Sequence, residues 1–423
     1  MFEAPKAWSS RSMKAAQIEG VRGRIAVAEV RVPELEPDDA LVRVVASGIC
    51  RSDWHLWNGD WEWVGMKLQP GAVLGHEIGG VVEAVGSNVK SVRPGQRVTV
   101  PFNLACGHCH HCSRGEQNIC DNAAVPHLIP GSGGWAQYMR APNANLNCVL
   151  LPEGVDELTA AALGCRYMTA WRAIQSRGAL RGGESVAVFG CGGVGQAAIE
   201  IAASLGGRVI AVDVDDAKLA KAKEIGAHAV VNAKGLSSEQ AGGAVRRNTE
   251  RDAGVDLAVD ALGSVATVHG ALHSLRKGGR LSQVGLTSQE EKGVVAVPMD
   301  MIVLKELEIR GSLGNPRAST TTSSASSHRG NSTRLHWSVE RFRSVTSNRF
   351  YMTWIALKRA ATWSSRTSIE ADVGRGGPAA ASFVFCQNEL VGKSQDVSSA
   401  NELPSSSSRE LQVLPSAPSA ATE

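Results

Sequence analysis

The sequence predicts a β-rich domain, then an α/β domain built on a doubly wound parallel sheet, then a largely unstructured C-terminal tail. Three observations carry this. Short apolar runs punctuated by Gly and Pro fill residues 13–147, strand and helix patterns alternate from residue 157, and all periodicity stops after residue 315. The expected division is an N-terminal extension over 1–12, a β-rich domain over 13–156, an α/β domain over 157–315 and an atypical tail over 316–423.

The periodic sequence begins at Met13, which offers an alternative start. In the first domain residues 40–45, 79–85 and 96–100 read as strands. Residues 157–176 read as a helix, 185–189 as a buried strand, 194–205 as a helix, 208–212 as a strand and 216–225 as a helix. Residues 255–260, 280–284 and 307–309 continue the strands. Such alternation makes a parallel sheet with helices on both faces. In the tail, residues 318–327 are almost wholly Ser, Thr and Ala, and 404–423 are rich in Ser and Pro, compositions that bury no core.

A chain of 423 residues with 43% hydrophobic and 20% charged residues has the composition of a globular protein. A net charge of +3 is too small to imply a nucleic acid or an acidic membrane as partner. No N-terminal apolar stretch reads as a secretory signal, and no run reaches the roughly 18 apolar residues of a membrane span. Nine cysteines in that setting favour metal binding over disulfides, and a cytoplasmic location is expected.

Gly190-Cys191-Gly192-Gly193-Val194-Gly195 follows a strand and opens a helix. Glycines here let the turn bend and let backbone approach a pyrophosphate, while the helix N-terminus offers free N–H groups. The strand–helix–strand unit ends at Asp213, near the spacing at which a carboxylate meets a ribose diol and repels a 2′-phosphate. A Rossmann domain that prefers NAD to NADP is expected.

Cys106, Cys109, Cys112 and Cys120 fall in a C-x2-C-x2-C-x7-C run, and four thiolates close a tetrahedral zinc site. His108, His110 and His111 read as exposed loop residues beside them. Upstream, Cys50 and His76 have Ser52, Asp53, His55 and Glu77 as close neighbours, and Cys165 is the best remaining third ligand. Three ligands leave a zinc open for chemistry. Cys148, Cys191 and Cys386 read as structural or incidental thiols, and Trp54, Trp57, Trp61 and Trp63 as packing or as an apolar pocket wall.

Residues 13–315 resemble the zinc-dependent alcohol dehydrogenases of the medium-chain dehydrogenase/reductase superfamily. The resemblance rests on Gly75-His76-Glu77 with Gly80, Gly86 and Val89, on the segment from Cys50 to His55, on Gly164-Cys165-Arg166-Tyr167-Met168-Thr169-Ala170, and on the four-cysteine lobe. It implies a GroES-like first domain and two zinc ions per chain. Cys50, His76 and Cys165 would hold the catalytic ion, with Glu77 close by as an outer neighbour or exchangeable ligand. Ser52 would touch the alcohol, His55 would end a proton relay, and Arg51 would meet the pyrophosphate. Thr169 and Val284 would contact the dinucleotide near its nicotinamide, and Asp213 with Lys218 would hold the adenosine ribose. Asp53 would orient a ligand.

The function so implied is hydride transfer between an alcohol and NAD, in a homo-oligomer acting on a small alcohol or aldehyde. Relatives continue past residues 311–314 with a segment that completes the first domain, whereas this chain turns to the Ser/Thr-rich run, as a frameshift near Pro316 or an appended tail would give. The competing expectations are a catalytically impaired remnant that still binds zinc or NAD, an NADPH-dependent aldehyde reductase, and a zinc-dependent nucleic-acid binder using Arg and Trp residues of 317–366.

Overall fold

In a computed structural model, which describes residues 11–314, Pro316 and Val384–Cys386, two antiparallel strands form the spine of the first domain. β1 (Ser12–Ile18), β2 (Ile25–Arg31) and β4 (Ala72–Val73) make a small sheet in the order β2-β1-β4. The spine, β3 (Ala40–Gly48) and β5 (Glu77–Val85), continues through β6 (Arg97–Val100) to β8 (Val149–Leu150). Val42, Val44, Ile78, Val82, Val98, Val100 and Met139 are buried between these strands and the segments packed on them. Burying a Val or Ile side chain contributes roughly 1.5–3 kcal/mol, so this β-branched stripe is what fixes the sheet.

The far edge of β3 is shared. β7 (Tyr138–Ala141) pairs with Ala40–Arg43, and β15 (Val384–Cys386) pairs with residues 46–48. By the second pairing, three residues of the tail expected to be largely unstructured form a strand of the first domain's sheet. The rest of the tail, including its expected lack of structure, lies outside the described residues.

The second domain is a six-stranded parallel sheet in the order β11-β10-β9-β12-β13-β14. Its strands are β9 (Ser185–Phe189), β10 (Arg208–Asp213), β11 (Ala229–Asn232), β12 (Val255–Asp260), β13 (Leu275–Gln283) and β14 (Glu308–Gly311). The order reverses between β9 and β12, the place where doubly wound sheets open a crevice for ligands. β9, β10 and β12 are near-continuous runs of buried Val, Ala, Ile, Leu and Phe, as strands covered on both faces must be. β13 begins five residues earlier than expected, because Arg276, Lys277, Gly278 and Gly279 hide its start from any apolar pattern.

The expected helix over 157–176 is a composite. An α-helical turn Glu157–Ala162 passes into a π-helical turn Leu163–Tyr167, then Met168–Trp171 is α-helical and Arg172–Arg177 π-helical. A π turn inserts an extra residue and turns the following side chains, and such turns are frequent at functional sites. Cys165 lies in the first of them. Among the described residues no helix is long and apolar enough to cross a membrane.

Candidate active site

Cys50 stands two residues past β3 as the N-cap of the helix Arg51–Asn58, His76 immediately precedes β5, and Cys165 comes from the π turn. Three elements distant in sequence thus bring two sulfurs and a ring nitrogen within 4.8 Å of one another. The two sulfurs are 3.8 Å apart. A tetrahedral zinc ion with Zn–S bonds of about 2.3 Å spaces its sulfurs about 3.8 Å apart, so the donor set fits the ion in kind and in spacing. Three donors are also the number that leaves a fourth position for water or substrate. Between the paired thiols the proton is held unequally: acceptance from Cys165 pushes Cys50 well down, and Cys165 is pushed well up.

Asp53 ties these segments together. Its buried carboxylate accepts from the Cys50 amide at 2.8 Å, the Gly75 amide at 3.2 Å and His76 Nδ1 at 3.0 Å. Burial opposes its charge, but the His76 imidazole beside it holds its carboxyl below the usual range. With Nδ1 engaged, His76 has its other nitrogen for the sulfurs, the arrangement that fixes a metal-ligating imidazole. The expected orienting role of Asp53 thus has a geometric basis.

Glu77 is fully buried but lies outside the three-donor cluster. Its Oε2 accepts from Arg166 Nη2 at 2.8 Å, and burial pushes its carboxyl up to about 7. Arg166, beside Cys165, is a site residue that the sequence motifs do not single out. The signal for it is chemical: a carboxylate buried beside a metal site needs a cation.

The second thiol cluster forms as expected. The Sγ atoms of Cys106, Cys109, Cys112 and Cys120 all lie within 4.8 Å of one another, with Cys109–Cys120 at 3.8 Å and Cys106–Cys120 at 3.5 Å. The His108 amide brings Cys106 down to about 6, while burial pushes Cys112 up to about 12. His108 and His110 are exposed, whereas His111 is half-buried and bonded to Glu116 at 3.2 Å. A closed four-thiolate zinc site fits this geometry.

At the crevice of the second domain, Gly190 has φ of +88° and opens the glycine turn. A Cβ on Gly195 would lie 1.8 Å from the Gly190 carbonyl oxygen, so no other residue fits there. Nothing lies within 4 Å of a Cβ position on Gly192. The helix Gly193–Ser204 that includes Val194 has neither a side-chain cap nor an acidic residue in its first turn, so its N–H groups are free for an anion. Asp213, at the end of β10, accepts from the Cys191 amide at 2.7 Å and from the Val214 and Asp215 amides, with Lys218 Nζ at 3.9 Å. Oδ1 takes both of the last two amides, so Oδ2, with one amide on it, is the oxygen that retains acceptor capacity for a ribose hydroxyl. Thr169 is buried beyond Cys165, and Val284 is half-buried just past β13, its amide bonded to the Asp260 carbonyl.

Ser52 Oγ lies 3.8 Å from Cys50 Sγ, and His55 sits three residues further on the same helix face. Arg51 is exposed, its guanidinium 3.7 Å from the centre of the Trp54 ring. The four tryptophans divide. Trp54 faces Arg51 and His55, Trp57 donates to the Gly23 carbonyl, Trp61 is buried and donates to the Thr287 carbonyl at 3.1 Å, and Trp63 is exposed. Two further residues were missed. Asp60 Oδ2 is 2.6 Å from His55 Nδ1, and His127 is buried with its ring 5.1 Å from that of His76. Five residues separate Asp60 from His55 across Gly59, a spacing that only the turn makes meaningful.

Residues 36–153 match the family described as alcohol dehydrogenase GroES-like domain, and residues 193–326 match the zinc-binding dehydrogenase family. An alcohol dehydrogenase of Geobacillus stearothermophilus is 35% identical over 306 residues, covering 72% of this chain and 86% of its own length. The structure of the alcohol dehydrogenase TADH from Thermus sp. ATN1 aligns with a TM-score of 0.65 at 38% identity, over 72% of this chain and 85% of that one. A zinc-binding dehydrogenase from Sinorhizobium meliloti 1021, solved with NADP, aligns with a TM-score of 0.62 at 31% identity, over 73% of this chain and 86% of that one.

Proposed function

This chain belongs to the zinc-dependent alcohol dehydrogenases of the medium-chain superfamily, and from that membership we propose that it oxidises small alcohols with NAD while holding two zinc ions. That it is a zinc-dependent alcohol oxidoreductase using a nicotinamide cofactor comes with the family. The choice of NAD, the second zinc and the residue roles are the proposal.

One observation carries it: Arg166, next to Cys165, pairs with Glu77, next to His76, while a Cβ on Gly193 would lie 3.5 Å from the same guanidinium. The three-donor cluster and the phosphate-binding turn are therefore joined by one side chain, as hydride transfer between an alcohol and a dinucleotide requires. When bound, zinc supplies Lewis-acid acidification of the alcohol hydroxyl and the nicotinamide accepts hydride.

The protein's own residues do the rest. Cys50, His76 and Cys165 hold the catalytic ion, Asp53 sets the His76 ring, and the four-cysteine lobe holds the structural ion. Ser52 receives the departing proton and His55 delivers it towards solvent. Arg51 and the free N–H groups at Gly193 and Val194 bind pyrophosphate, and Asp213 with Lys218 binds the adenosine ribose. A carboxylate at that position repels a 2′-phosphate, which supports NAD over NADP.

The chain is expected to self-associate through β14 and the helix Met299–Lys305, where Met299, Val303 and Leu304 are 60%, 68% and 78% exposed. Light scattering reporting a monomer at micromolar concentration would remove that element. The central test is titration of the full chain with NAD and with NADP, followed by alcohol-dependent reduction of each. NAD should bind more tightly and turn over faster; equal binding would favour the aldehyde-reductase alternative, and binding without turnover the impaired remnant.

A further inference from the structure

The helix Arg51–Asn58 ends at Gly59, whose φ of 78° turns the chain back on itself. Only the left-handed region permits this turn, and Gly enters it at least cost. The turn brings Asp60 under His55: the Asp60 amide donates to the His55 carbonyl at 2.9 Å, and Asp60 Oδ2 lies 2.6 Å from His55 Nδ1. Asp60 Oδ1 accepts from Asn58 Nδ2 at 2.7 Å, which fixes the carboxylate with Oδ2 towards the imidazole. The two side chains are 16% and 8% exposed. Trp61 stacks on the imidazole with ring centres 5.1 Å apart, and Trp54 meets it edge-on at 5.3 Å.

We propose that Asp60 is a positioning residue for proton transfer, holding His55 in the tautomer that carries its hydrogen on Nδ1 and so presenting Nε2 as the proton acceptor. An ionised carboxylate only accepts, so the shared hydrogen belongs to Nδ1. The ring is clamped on one edge by Asp60 and on its face by Trp61, leaving Nε2 as the free basic atom. As the alcohol O–H bond breaks on the Ser52 side, the electron pair stays on oxygen and an N–H bond forms at Nε2. The imidazolium so made is balanced by Asp60 until Nε2 gives its proton to water. The charged or titratable groups bearing on His55 are Asp60 and Cys50, which favour its protonation, and Arg51, which opposes it.

This inference rests on His55 being the end of the relay, so the experiment separates the two. Alcohol oxidation at limiting and at saturating substrate is measured against pH for the full chain, His55→Gln, Asp60→Asn and the double variant, each with zinc content and NAD affinity checked. His55→Gln should lose about a hundredfold or more, the lower end of general-base contributions. Asp60→Asn should lose about tenfold, with KM nearly unchanged and the acidic limb moved to lower pH, because an anion favouring imidazolium is gone. The double variant should match His55→Gln alone. If His55→Gln is fully active, the relay reading fails. If His55→Gln is impaired but Asp60→Asn is unchanged, or weakens the His55→Gln background further, the positioning role is overturned. Should Asp60→Asn not fold, ¹⁵N histidine shifts of the unaltered protein decide: Nδ1 protonated supports the proposal, Nε2 protonated sinks it.

Discussion

Arg166 Nη2 lies 2.8 Å from Glu77 Oε2, an ion pair whose carboxylate is wholly shielded from water and whose partners are 89 residues apart in sequence. Both flank residues of the three-donor cluster, so the pair holds the second and third ligand segments together.

Breaking it from one side should therefore be costly. Arg166→Ala takes the cation from a carboxyl that burial already pushes up to about 7, so Glu77 takes up a proton and the loss should be about 1–3 kcal/mol, that of a buried polar group left unpaired. Denaturant unfolding should report that loss, and Arg166→Ala with Glu77→Gln should recover much of it. A single variant as stable as the unaltered chain would show that the pair contributes only geometry.

Metal analysis should find two zinc ions per chain. A chelator should strip the Cys50–His76–Cys165 site first, since an open position admits the competitor, while secondary structure survives. Cys120→Ser should have the opposite signature, with loss of the lobe's ion and early unfolding of residues 105–120. Finding no zinc in folded protein prepared without chelator would contradict both expectations.

Asp213 has two tasks that two substitutions can separate. Asp213→Ala removes both the charge and the acceptor for the Cys191 amide, so NAD affinity should fall about tenfold or more while discrimination against NADP narrows. Asp213→Asn keeps one carbonyl oxygen for the turn, so it should retain more NAD affinity while still admitting NADP. Calorimetric titration of both dinucleotides checks this; unchanged discrimination in either variant would place the specificity elsewhere.

The pairing of β15 with residues 46–48 touches the stretch that leads into Cys50. Val384→Pro disfavours a strand there. Hydrogen exchange at residues 46–48 should accelerate and zinc should leave the nearby site sooner. Unaltered exchange would mean that β3 does not depend on the tail.

The four-cysteine cluster, the segments of the three-donor cluster and the glycine turn were legible because their chemistry is written in short spacings. C-x2-C-x2-C-x7-C and G-x-G-x-x-G declare themselves within fifteen residues, and Asp213 falls at a fixed distance along one strand–helix–strand unit. What escaped depends on chain reversal or distance. Arg166 meets Glu77 only because a π turn carries it there, and a π turn has no residue signature. Asp60 reaches His55 only because Gly59 takes a left-handed conformation. Val384–Cys386 joins β3 through backbone hydrogen bonds, which any sequence can offer.

The indole of Trp61 is anchored in the first domain's core while its N–H bonds to Thr287, in the second domain's loop between β13 and the helix Met299–Lys305. Separation of the two lobes breaks that bond and opens the indole N–H edge to water. Its fluorescence is thus a built-in gauge of the cleft: emission should shift to the red as the lobes part and to the blue as a dinucleotide draws them together. With nine other tryptophans present, substituting Trp61 by Phe and subtracting the spectra would isolate the signal, giving a label-free clock for opening and closing.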